Sequence, residues 1–82
     1  MNISEVDFKF MKEFITRDLG YFLTQDFGMT LEQALRAVYD SKTFKLLCNP
    51  DSGFYYQSSK YVYGYLKNEV ASGKFNPNPV FD

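Results

Sequence analysis

Cys48 is the only thiol in the sequence and its strongest potential nucleophile, so covalent chemistry would have to start there. The chain has no His, which removes both the usual general base near neutral pH and the commonest metal ligand. Serine or cysteine hydrolysis therefore lacks its normal partner. Cys48 sits between Leu47 and Asn49, with Lys45 the one cation close by in sequence. That setting predicts a buried structural thiol that reacts slowly.

Three further patterns resemble sites. Asn49, Asp51 and Ser52 superficially resemble the opening of a calcium loop, but such a loop requires regularly spaced oxygen ligands and a closing Glu at its twelfth position, and the residue there is Lys60. Pro50 and Gly53 already account for the segment as a turn. Glu5, Asp7, Glu13 and Asp18 crowd the first stretch of chain, where solvated helix surface is the reading that needs no ion. Lys60-Tyr61-Val62-Tyr63-Gly64-Tyr65-Leu66-Lys67 interleaves aromatics with cations as a single-strand nucleic-acid groove does, yet two lysines supply little charge, and packing is the simpler use of the rings. The glycines are scattered, with no phosphate-cradling cluster. The sequence thus predicts no catalytic residue, no cofactor and no metal site, and a protein that is not an enzyme.

The elements that would hold these residues are helical. Ser4 with Asp7 three residues later predicts a helix start, and Phe8, Met11, Ile15, Leu19, Phe22 and Leu23 continue at helical steps to about Asp26, before Gly28. Gly20 falls inside that run, where it costs roughly 1 kcal/mol relative to Ala and leaves open a kink or a split. Thr30 and Gln33 form a capping box, Met29 can staple onto Ala34, and Leu31, Ala34, Leu35 and Val38 make the buried stripe of a second helix. Ser41 or Thr43 can cap a short third helix using Phe44, Leu46 and Leu47, which Pro50 stops. Phe54-Tyr55-Tyr56 reads as an extended connection or a lone strand. Ser58 or Ser59 then caps a last helix with Val62, Tyr63, Leu66 and Val70 inward, ending at Gly73. The expected fold class is all-α: a small bundle of three or four helices over 1–73, with an extended Pro-containing tail over 74–82. Its expected core is Phe8, Met11, Ile15, Leu19, Phe22, Leu31, Leu35, Val38, Leu47, Val62, Leu66 and Val70.

Composition bounds the rest. Eighty-two residues suffice for one core, and 45% hydrophobic with 20% aromatic content supplies it. The net charge of −1, with only Arg17 and Arg36 as arginines, argues against nucleic acid as a partner. The charge is polarised, −3 over residues 1–41 and +2 over 42–82. A lone Cys excludes an internal disulfide and predicts a reducing, cytoplasmic setting. The first ten residues carry acids where a secretory signal needs cations, and no run approaches the ~20 apolar residues of a membrane span.

Met29-Thr30-Leu31-Glu32-Gln33-Ala34-Leu35, Val38-Tyr39-Asp40-Ser41-Lys42-Thr43-Phe44, Gly53-Phe54-Tyr55-Tyr56-Gln57-Ser58-Ser59 and Tyr61-Val62-Tyr63 resemble a family of short uncharacterised bacterial helical proteins. The resemblance implies no reaction, cofactor or catalytic residue. It implies a setting beside other small proteins, some similar to ADP-ribosyltransferase-type toxins, and so an accessory or neutralising partner.

Two aromatic ridges then carry the functional expectation. Phe10, Phe14 and Tyr21, with Arg17, form a stripe on the first helix well separated from its core stripe, and Tyr61 and Tyr65 lie together on the last helix beside Gly64, Asn68 and Ala71. Tyr suits interfaces because its ring is apolar while its hydroxyl keeps a polar partner. These five aromatics are the expected interface of a protein-interaction module, with a homodimer or another protein as partner. The alternative is a small helix-turn-helix regulator using the helices around Thr30 and Ser41.

Overall fold

The computed structural model describes residues 3–79. Its elements are α1 (Glu5–Phe27), α2 (Leu31–Asp40), α3 (Lys42–Leu47), two 3-10 turns (Pro50–Ser52 and Phe54–Tyr56) and α4 (Ser59–Ser72). The fold is all-α, with no strand among the described residues.

Each helix starts where a side-chain oxygen can satisfy the unpaired amides of a first turn. Ser4 accepts from Asp7 N at 3.1 Å, and Ser58 accepts from Tyr61 N at 3.1 Å. Thr30 and Gln33 close a reciprocal box, with bonds of 3.1 and 3.0 Å. Ser41 serves two helices: its N–H donates to Val38 O at the end of α2, and its hydroxyl oxygen accepts from Phe44 N at 3.0 Å at the start of α3. The two helices therefore meet at a single residue. A second acceptor reinforces α3 from across the fold, because the Glu69 carboxylate of α4 takes the amides of Lys42 and Thr43 at 2.7 and 3.0 Å and the Thr43 hydroxyl at 2.8 Å.

α1 runs unbroken through Gly20, so there is neither kink nor split. The residue is small because α2 crosses there: a Cβ on Gly20 would lie 3.1 Å from Leu35 Cδ2. Close helix approach offsets the local propensity cost.

The core joins Ile15, Leu19 and Leu23 of α1 to Ala34 and Val38 of α2, Leu47 of α3 and Val62, Tyr63 and Leu66 of α4. Phe8, Phe22 and Val70 pack on it half-buried, and Leu35 is half-buried beneath Gly20. Two expected core residues lie outside. Met11 is exposed because the buried side of α1 is centred near Leu19 and Leu23, about 100° around the helix from it. Leu31 is exposed at the first turn of α2, where Met29 packs against the core instead.

Phe54 and Tyr55 form a 3-10 turn rather than an extended connection or strand, and both are buried. Gly53 makes that turn possible with φ +76°, and a Cβ there would also strike the Tyr56 hydroxyl at 2.9 Å. Beyond Gly73 the chain turns back: Phe75 stacks on Tyr65 with ring centroids 5.9 Å apart, and Pro79 is buried. The tail up to Pro79 thus adds to the domain, and residues 80–82 lie outside the described residues.

Candidate functional site

α1 carries apolar side chains on two opposed faces. Turning about 100° per residue, the helix puts Ile15, Leu19 and Leu23 on one side and Val6, Phe10, Phe14 and Tyr21 on the other. The first set is buried, whereas the second is exposed to 63%, 67%, 57% and 58% of its surface. Between Val6 and Tyr21 this ridge runs about 22 Å. Arg17 belongs to it, with its guanidinium 5.0 Å from the Phe14 ring centroid, within cation–π range. Phe10, Phe14 and Tyr21 therefore form the outward stripe that their spacing predicts. Val6 extends it by a turn, a residue the sequence reading passed over although it stands four places before Phe10.

Tyr61 and Tyr65 share the same four-residue spacing but not the same fate. Their rings stack at 5.5 Å with the hydroxyls 3.2 Å apart. Phe54 packs against Tyr65 at 4.9 Å and Tyr61 at 6.2 Å, and Phe75 covers Tyr65 from the tail. Tyr61 is only just exposed and Tyr65 is half-buried. The α4 ridge is consumed largely by its own chain.

A polar seam lies where α4 crosses α1. Tyr63 donates its hydroxyl to Asp26 Oδ2 at 2.7 Å, Lys67 Nζ stands 3.5 Å from the same oxygen, and Ser59 donates to Asp18 Oδ2 at 2.6 Å. The Tyr63 bond, helped by Lys67 and opposed by burial, holds the Asp26 carboxyl below the ordinary carboxylate range. Burial, and then the Asp26 carboxylate, push the Tyr63 phenol up. Asp26, Tyr63 and Lys67 line a groove with Phe22, Lys60, Tyr61 and Gly64. None of these contacts is local, since Tyr63 follows Asp26 by 37 residues, so no sequence spacing announces them.

Cys48 is half-buried at the end of α3, where its N–H donates to Phe44 O at 2.9 Å. Among the described residues no three His, Cys, Asp or Glu side chains gather as a metal would require, and no helix is long and apolar enough to cross a membrane. No family model, curated protein or solved structure matches the chain. The exposed face of α1 is the candidate site.

Proposed function

We propose that the protein is a non-enzymatic protein-interaction module whose working surface is the outward face of α1. One observation supports this reading above the rest: a helix whose inner face already fills the core presents three aromatic rings and a valine to solvent in one line. Contiguous apolar patches beyond a few hundred Å² are rare on monomers that work alone, because each exposed ring keeps the cost of hydrating its surface. Arg17 suits the role, since aromatic and Arg side chains dominate the energetics of interfaces. The lone thiol supports a cytoplasmic setting, and the resemblance around Val38–Phe44 and Gly53–Ser59 supports an accessory role beside a bacterial toxin-like protein.

Affinity capture tests the reading. Immobilised wild type should retain a protein at near-stoichiometric yield from native lysate, and Phe14→Glu, which leaves the core untouched, should lose it while circular dichroism stays helical. Equal capture by the two forms overturns the reading, as does capture of nothing by a chain that is also monomeric in solution.

A further inference from the structure

We propose that the partner of the α1 ridge is a second copy of this chain, the two helices packing antiparallel about a two-fold axis level with residue 15. The inference rests on the interaction reading above and names the occupant of that same face. Its argument begins with Arg17, which lies within the ridge rather than beside it. A parallel two-fold would set every ridge residue against its own copy and bring two guanidinium groups together in a desolvating contact, which like charges resist.

The antiparallel two-fold removes that conflict. Lys9, Glu13 and Arg17 follow one another at four-residue steps on one side of the ridge's centre line, running from its flank into the ridge at Arg17, with alternating sign. An antiparallel pair faces like edges together in reversed order, so Glu13 of each copy meets Arg17 of the other, twice by symmetry. The same register sets the two Phe14 rings on either side of the axis and brings Phe10 of one copy against Tyr21 of the other. The reversed helix dipoles agree with it as well.

The area is sufficient for a modest dimer. Aromatic side chains present roughly 150–250 Å² each. At the observed exposures, three of them with Val6 and the flanking charged stems offer on the order of 500 Å² per copy, about 1,000 Å² for the pair, which meets the minimum for a biological interface and belongs to the weak, reversible class below about 1,200 Å². An interface of this size is that of a weak, reversible dimer, populated at high protein concentration.

Sedimentation equilibrium of the purified chain, with charge variants mixed in trans, tests this. Wild type should be dimeric at about 100 μM, and Glu13→Arg or Arg17→Glu alone should each weaken association by about tenfold, as two attractive pairs become repulsive. An equimolar mixture of the two variants should recover a heterodimer, which no effect inside one helix can produce. Orientation is read from disulfide trapping in a Cys48→Ser background: Glu13→Cys mixed with Arg17→Cys should cross-link, and neither should cross-link with itself. A wild type that is monomeric at ~0.5 mM, a mixture that stays as weak as its parts, or self-linking by Glu13→Cys overturns the proposal. A monomeric chain that still captures another protein through the ridge overturns only the choice of occupant; loss of that capture as well would overturn the interaction reading itself.

Discussion

The ridges of α1 and α4 are built from the same material at the same helical spacing, yet among the described residues the α4 ridge is largely covered by its own chain and the α1 ridge is exposed. Tyr65 has Tyr61 of its own helix beside it, and Phe54 from the turn before α4 and Phe75 from the tail after it close around it. Phe14 has Arg17 from its own helix, and among the described residues the ridge face stays exposed, because α2 and α4 both dock on the opposite side of α1. An aromatic stripe on a short chain thus becomes core or surface according to whether a flanking segment can reach back over it. The ends of α4 provide such segments within a few residues, and α1 is followed at once by the turn into α2.

The strongest way to break the contrast is to cut both faces of α1. Leu19→Ala should destabilise the fold by ~2–5 kcal/mol in urea unfolding, as a fully buried Leu leaves a cavity. A loss below about 0.5 kcal/mol would mean that the helix is turned the other way. Tyr65→Ala should cost about 1–3 kcal/mol by the same measurement, since it removes half-buried area and three ring partners. Phe75→Ala should reproduce part of that loss if the tail truly covers the ridge.

Much of this contrast is legible in the sequence, and the reasons divide cleanly. Thr30 with Gln33, and Ser4 with Asp7, are three residues apart, so the caps that start α2 and α1 can be read from local chemistry alone. The division of α1 into inner and outer stripes follows from period, and only Met11, at the margin between them, falls on the wrong side. Phe54 and Tyr55 escaped because a three-residue 3-10 turn has no period to detect, and their burial depends on α1 and α4 closing around them. The covering of Tyr65 by Phe75 depends on where the chain turns after Gly73. Local residue preferences there indicate a break but not a direction.

Smaller effects sharpen the comparison. Phe14→Ala should change the unfolding free energy of the monomer, measured by dilution below the association range, by less than about 0.5 kcal/mol, because more than half of the residue is already exposed. A larger loss would give the ridge a structural role in the single chain. The α1–α4 seam gives a pH signature. Asp26 is held below its unfolded value, so its contribution is present above about pH 4 and fades as pH falls through the folded value. The stability gap between wild type and Asp26→Asn should therefore narrow in acid. A gap that widened on acidification would contradict the Tyr63 bond. Tyr63 has the opposite sign: its contribution holds below the ordinary tyrosine range and is lost in strong base, and Tyr63→Phe should remove a late-ionising component from the tyrosinate absorbance.

The clasp of Glu69 on α3 also sets an order of events in folding. Six residues are too few for a helix to persist in water by itself, since nucleation is unfavourable and propagation has no length over which to compensate. α3 must therefore wait for partners. Its first amides are taken by a side chain 26 and 27 residues further along the sequence, so its full complement of bonds exists only once α4 has docked. α1 and α2, capped locally and joined by a short turn, can form a helical hairpin earlier and provide the surface on which α4 closes.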